Sequence, residues 1–462
     1  MSGIAGEDDV IIEWLGQPAA RDDFSTFRRY EFGGPAGAVS VMAFSHLVVY
    51  YLWICVTYHR GALIHPHRLS EVGSFLATLF AHVREGARPT GAAAAFYLGF
   101  VLLQGLLAAF LPGIEVSGLP VPSLGGARLR YRCNGVLAWY VTLATAALLH
   151  ATGLLPLTFL VDHFGPVLTV AVLFGDALAV AVFVSAKLRG TSHRASGNLV
   201  YDFFMGINLN PRLGRLDVKM LAEIRISWML LFLITCSAAA KEVELRGTLS
   251  ASMAFMVLAH FLYANACQKG EECIPTTWDV FYENFGWYLA FWNCAGVAFT
   301  YSFQSLYLLR AGPIVHSIPY TALCFVLLLG AYYVWDTANS QKNRFRMQLD
   351  GTFVARRTFP QLPWGTLKEP ASLATRCGSR LLVDGWYRWA RKIHYTADAV
   401  MALSWGLICG FGSFLPYFYF VFFAAMITHR YLRDRARMRA KYGEDYDAYC
   451  RRVRWVFIPG VI

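Results

Sequence analysis

The chain has 462 residues, 56% of them hydrophobic and only 15% charged, with a formal net charge of +11 and a mean hydropathy of +0.42. Soluble domains carry about 25% charged residues, so this composition excludes an ordinary water-soluble globule and points to a polytopic membrane protein. The ten cysteines form no C-x-x-C pair, so no zinc site, haem attachment or disulfide framework is expected and no metal is assigned.

The first 32 residues are mixed and acidic (Glu7, Asp8, Asp9, Asp22, Asp23) and lack the charged-then-apolar order of a cleaved signal. They read as a cytoplasmic tail ahead of one membrane domain, 33–462. Apolar stretches then follow at 36–58, 91–112, 134–155, 164–187, 223–241, 250–268, 285–309, 315–335, 395–412 and 413–430, each near the ~20 residues a span needs. The fifth carries Glu223 and Arg225 in its first turns, and the last two form a hairpin around Phe414, Leu415 and Pro416. The expectation is an all-α protein of about ten transmembrane helices. Basic residues concentrate after the second, fourth and eighth stretches and after the tenth, which puts both termini in the cytoplasm. The loop after the first stretch, with Arg60, Arg68, Arg84 and Arg88, runs against that bias.

Four places along this order could carry chemistry. Tyr263 lies in the sixth stretch, with Asn265, Glu271, Glu272, Asp279 and Glu283 after it; polar groups at membrane depth are costly and often functional, although a packed or interfacial tyrosine is the ordinary alternative. Lys342 and Arg346 follow the eighth stretch. If its helix continues, they are i,i+4 neighbours able to hold a phosphate. The linker 386–398 (WYRWARKIHYTAD) brings His394 and Tyr395 to the entry of a span, where each can donate a hydrogen bond to an amide, while its tryptophans suit interface anchors. Finally, Arg430 to Arg452 interleaves cations with Tyr442, Tyr446 and Tyr449 around Asp434, a pattern suited to an adenine nucleotide. Anionic-lipid contact would also account for such a basic face. No nucleic-acid partner is expected at the membrane surface.

These same places carry a family likeness. GGPAGA (33–38), GNLVYDFFMGINLNPRLG (197–214), FGWYLAFWN (285–293), the segment 339–346, LPYFYFVFF (415–423) and HRYLRDRARMRAKYGEDYDAY (429–449) resemble the sterol reductases of the C-14, C-7 and C-24(28) group. Within it, the stretches 271–302, 335–346, 356–364 and 383–411 are similar to the fungal-type C-24(28) reductases of ergosterol biosynthesis. His394-Tyr395 stands where the C-14 and C-7 enzymes typically have Asn-Tyr, and Val453-Arg454-Trp455 replaces the usual Val-Pro-Tyr.

The resemblance implies endoplasmic reticulum residence, a sterol substrate and a cytoplasmic-facing NADPH site in 336–462. That site would comprise Lys342, Arg346, Leu382, Tyr387, His394, Tyr395, Arg430, Asp434, Met438, Arg439, Ala440, Lys441, Tyr442 and Tyr449. Tyr263 aligns with an active-centre tyrosine and Asp434 with an active-site aspartate; Glu271 and Glu272 are candidates for a proton relay. An unactivated alkene must be protonated before it accepts hydride, so Tyr263 is the expected acid. Trp287, Tyr288 and Trp292 are candidates to face the developing cation, with core packing as the alternative. A ring double-bond reductase, a methyltransferase with a similar final hairpin and a non-catalytic sterol-binding scaffold are the competing classes.

Overall fold

The computed structural model describes residues 30–312, 314–353 and 358–461. The acidic stretch 1–29 and residues 356–357 of the motif at 356–364 lie outside the described residues. The protein is mostly helical, and it divides into a larger compact unit, 30–315 with Cys409–Pro416, and a smaller one, 316–408 with 417–461. Among the described residues, five helices are long and apolar enough to cross a membrane: Gly34–Tyr58, Gly91–Phe110, Phe164–Arg189, Val218–Arg246 and Ile318–Leu349.

In the larger unit, α1 (Gly34–Tyr58) starts at a proline one residue in and is followed by the exposed helix α2 (Val72–Gly86). Thr90 accepts a hydrogen bond from the amide of Ala93 and so caps α3 (Gly91–Phe110). An antiparallel hairpin comes next, β1 (Ile114–Val121) with β2 (Ala127–Cys133), bulged between Ser117 and Pro120. It leads into α4 (Gly135–Ala151), and α5 (Phe164–Arg189) follows. The fifth apolar stretch is helical from Val218 to Arg246, but its turns at Leu221–Ser227 are π-helical before α6 (Trp228–Arg246). Then comes α7 (Ala251–Lys269), capped by Ser250.

The seventh stretch is not one regular helix. It runs as Trp287–Phe291, a π-helical turn Trp292–Gly296, Val297–Thr300 and then α8 (Phe303–Ala311). Its two neighbours explain the irregularity: α5 packs against its first half, and the π turn meets the π-helical turns 221–227. π turns are rare and concentrate at functional sites; these two meet inside the larger unit.

The smaller unit is built on α9 (Ile318–Leu349), whose polar last third continues the helix past its apolar stretch. Thus Lys342 and Arg346 do share one helix. A short hairpin, β3 (Ser372–Ala374) with β4 (Arg380–Leu382), precedes α10 (Ile393–Leu407), α11 (Phe418–Tyr442) and α12 (Glu444–Arg452). Its apolar core joins Ala338, Phe345, Leu382, Tyr387, Ala390 and Ile393. A second cluster joins Tyr446, Tyr449 and Val453, with Met438 and Tyr442 packed on it.

Candidate functional site

The linker between β4 and α10 is fastened to α9 by polar bonds. Gly385 sits at φ +57°, and a side chain there would meet Gln341 Oε1 at 2.3 Å, so only glycine fits this approach. The amide of Trp386 donates to Gln341 Oε1 at 3.0 Å and its indole N–H to Thr337 Oγ1 at 2.8 Å. Asp384 accepts from the amides of Gly385 and Ala371. The C-terminal tail closes the other side: the amides of Arg391 and Lys392 donate to the carbonyls of Trp455 and Val456, and Thr396 Oγ1 donates to that of Phe457. The departure at 453–455 therefore leaves a docked tail, held through its own backbone carbonyls, to which Arg391 Nη1 also donates at Val453 and Arg454.

Between these braces stands a group of cations and rings. Lys342 Nζ lies 5.7 Å from the centre of the Tyr387 ring, and Lys392 Nζ lies 5.6 Å from that of Tyr395. The Tyr387 hydroxyl is 3.3 Å from His394 Nδ1, and the His394 and Tyr395 rings are 4.4 Å apart. Lys392 Nζ donates to Asp434 Oδ2 at 2.5 Å, and Arg437 approaches Asp434 Oδ1 at 3.7 Å. Leu382, Tyr387, His394 and Tyr449 are buried. Arg430, Met438, Lys441 and Tyr442 are half-buried, while Arg346, Arg439 and Ala440 are exposed on the same surface.

The charges follow from this crowding. Burial would raise the Asp434 carboxyl, but the Lys392 charge and hydrogen bond, with Arg437 and Lys342, hold it below its ordinary value. Burial opposes charge on Lys392, and Asp434 outweighs it, so the ammonium titrates above its usual range. Just ahead of the apolar stretch 395–412, burial and then Lys342, Lys392 and Arg346 push His394 well below its ordinary value, so the imidazole is neutral at physiological pH. Burial and then Arg437 and Arg346 lower Lys441 to about 8. Burial is the larger cause for both bases, and the neighbouring cations add to it; that excess of positive charge favours a multiply charged anion. Cations facing tyrosine rings fit a phosphorylated nucleotide.

In the larger unit, Tyr263 is buried on α7 with its ring tilted against that of Trp228 at 4.5 Å, and Trp228 in turn lies 6.3 Å from the Tyr301 ring. Trp287 stacks on Phe291 at 4.6 Å, and Tyr288 lies 5.5 Å from Phe204. Trp292, the third ring expected to face a cation, lies 6.0 Å from Phe291, and it is Trp228 that lies against the acid candidate. Only the contact across two spans reveals Trp228; the sole hint in the sequence is its place after the charged turn Glu223–Arg225.

Glu271 is part of a buried ion pair. Arg225 donates to its Oε1 through Nη2 at 2.6 Å and Nε at 3.1 Å, and the Gly135 amide donates to Oε2 at 2.7 Å. Arg225 also donates to Asn134 Oδ1 at 2.7 Å. A side chain at Gly135 would meet Glu271 Oε2 at 2.9 Å. Glu272 is half-buried beside it. Tyr263, Glu271 and Glu272 belong to the larger unit, and the other expected site residues belong to the smaller one. Lys392, absent from the residues inferred by likeness, is hydrogen-bonded to Asp434.

Residues 27–462 match the model of the ergosterol biosynthesis ERG4/ERG24 family. The chain is 46% identical over 433 residues to the Delta(24(24(1)))-sterol reductase of Aspergillus fumigatus, covering 93% of this chain and 92% of the relative. It is 44% identical over 468 residues to the Delta(24(24(1)))-sterol reductase of Gibberella zeae, covering 100% and 77%. The Delta(14)-sterol reductase of Methylotuvimicrobium alcaliphilum is 36% identical over 416 residues, covering 90% and 92%.

Proposed function

This chain belongs to the ergosterol biosynthesis ERG4/ERG24 family, and from that premise we propose that it is an NADPH-dependent reductase of the C-24(28) double bond of a sterol side chain. The observation that carries the reading is the near full-length identity of 44–46% to two fungal Delta(24(24(1)))-sterol reductases. Identity to the bacterial Delta(14) enzyme is 36%, which ranks a ring double bond second. The chain is then an oxidoreductase acting on a carbon–carbon double bond. On this reading all ten apolar stretches cross the endoplasmic reticulum membrane, with both termini and the cation group in the cytoplasm.

The residues of the smaller unit fit the cofactor. Lys342, Arg346, Arg430 and Lys441 would hold its phosphates, and their number favours the extra phosphate of NADPH over NADH. Half-buried Tyr442 would offer a ring face to the base, and Tyr449, buried beneath it, would support that ring. Tyr387, His394 and Tyr395 would orient the amide end; neutral His394 can donate or accept there. Asp434 keeps Lys392 charged and fixed. When bound, NADPH supplies the hydride that completes the reduction.

Tyr263 supplies the proton. Its delivery to the terminal carbon of a 24(28)-methylene group leaves a tertiary cation at C-24, which the Trp228 ring, 4.5 Å from that of Tyr263, would stabilise. A phenol of reference pKa about 10 is a weak acid, so buried contact with the alkene must replace acidity as the driving arrangement. Arg225 and Gly135 hold Glu271, which favours Glu272 for any proton relay.

The test is turnover of purified protein with NADPH and sterols unsaturated at 24(28), C-14 or C-7, with products identified by mass spectrometry. Reduction of the 24(28) bond alone is expected. Reduction at a ring position would transfer the assignment to the second reading, and NADPH binding without reduction of any of the three would end both.

A further inference from the structure

Two ionisable side chains midway along apolar helices have no part in the chemistry above. His46 on α1 places Nε2 3.1 Å from Oδ2 of Asp176 on α5, and the Trp287 indole N–H donates to Asp176 Oδ1 at 2.7 Å. His46 Nδ1 stands 2.9 Å from the Met42 carbonyl. A carbonyl only accepts, so Nδ1 carries a proton, and Nε2 facing a carboxylate oxygen must share or carry a second one. Ionisable groups within apolar spans are costly and mark binding or transfer sites.

This pair is not sealed inside the protein: the two side chains keep 37% and 34% of their accessibility. Each Asp176 oxygen takes one of these bonds and retains lone-pair capacity for another. Around the pair the walls are apolar. The Phe291 and Trp287 rings lie 4.8 and 5.4 Å from His46, and Leu173, Ala177 and Val180 are exposed on the neighbouring face of α5. On the same two helices the Tyr50 hydroxyl is already spent on Thr169 Oγ1, to which it donates at 2.9 Å, so in this wall the Asp176 carboxylate is the group offering acceptor capacity to an apolar molecule with one hydroxyl.

The geometry also sets a length. From Trp287, beside Asp176, the seventh stretch leads to Tyr301, beside Trp228 and Tyr263. The 14 steps from one to the other would span about 21 Å as regular α-helix, and the π turn at Trp292–Gly296 shortens that path, leaving an upper limit on the order of the length of a sterol from ring-A hydroxyl to side-chain tip. We propose that the His46–Asp176 pair receives the ring-A hydroxyl of the sterol, Asp176 accepting its hydrogen bond, while the side chain extends towards Tyr263. This inference rests on the assignment of the side chain as the group reduced.

The experiment measures equilibrium binding of a 24(28)-unsaturated sterol and of its 3-O-methyl ether to the full chain without NADPH. The free hydroxyl is expected to bind at least tenfold more tightly. The double variant His46→Leu/Asp176→Leu removes both partners together and so strands no charge; its preference should fall below threefold, and in turnover the loss should fall on KM rather than kcat. Lack of hydroxyl preference in the native protein, or the same preference in the variant, overturns the proposal. If the variant does not fold, a sterol carrying a ring-A diazirine decides. Labelling within 42–50 or 173–180 supports the site, and labelling confined to other segments overturns it. Reduction at a ring double bond would overturn the functional assignment and leave the hydroxyl preference standing, so the two failures are distinguishable.

Discussion

Each compact unit contains a buried or half-buried ion pair, and the two are built differently. Arg225–Glu271 in the larger unit has side chains only 2% and 4% exposed, with Asn134 and Gly135 supplying further bonds. Lys392–Asp434 in the smaller unit is 15% and 18% exposed and stands among Lys342, Arg346, Arg437 and Lys441. The first pair is locally neutral and hydrogen-bonded on both sides, which suits a structural fixture between α4, the π turns and the end of α7. The second leaves a positive field, which suits a site completed by an anion. Burial alone therefore does not separate architecture from chemistry; the local charge balance does.

The largest expected effect breaks the first pair. Glu271→Ala strands a buried guanidinium and should destabilise the protein by about 3–5 kcal/mol, read as a lowered thermal midpoint of the purified chain. Replacing both partners, Arg225→Met with Glu271→Leu, should recover most of the loss. A Glu271→Ala protein with an unchanged midpoint and lost turnover would make Glu271 a relay and dissolve the contrast.

Next in size is Tyr263→Phe, which removes the acid but keeps the ring on Trp228. Turnover should fall by about 10²-fold or more, with NADPH affinity and thermal midpoint unchanged; wild-type turnover in this variant would refute the assignment. Asp434→Asn should cost less stability than Glu271→Ala, about 1–3 kcal/mol, because its pair is partly solvated. Equal losses from the two variants would show that the pairs are the same kind of object.

Much of this molecule is legible in its sequence because apolar length and turn chemistry are local. The apolar stretches 36–58, 91–112 and 164–187 coincide with the helices Gly34–Tyr58, Gly91–Phe110 and Phe164–Arg189. The condition set on the polar run after Trp335, that its helix continue, is met in α9. Less legible is whatever depends on a neighbour. The seventh stretch reads as one apolar span, yet its π turn answers to the π turns at 221–227. Likewise, the contact of Asp434 with Lys392 spans 42 positions, which no local pattern announces. Trp228 on Tyr263 is such a case too, since nothing in either local pattern announces the other.

The smallest effect tests the positive field itself. Lys441 titrates near 8 because of burial and the charges of Arg437 and Arg346. A bound phosphate would stabilise its protonated form and raise that value. NADPH affinity should then be full below about pH 7, fall as pH rises through 8, and level off above the raised value of the complex. Lys441→Met should weaken binding about tenfold at pH 7, near 1.4 kcal/mol, and flatten the pH profile. Lys441→Arg should keep the affinity yet also flatten the profile, because guanidinium stays charged throughout this range. An Arg variant that retains the native slope would place the titrating group elsewhere in the cluster; a Met variant with native affinity would show that the cation excess does not serve the cofactor at this position.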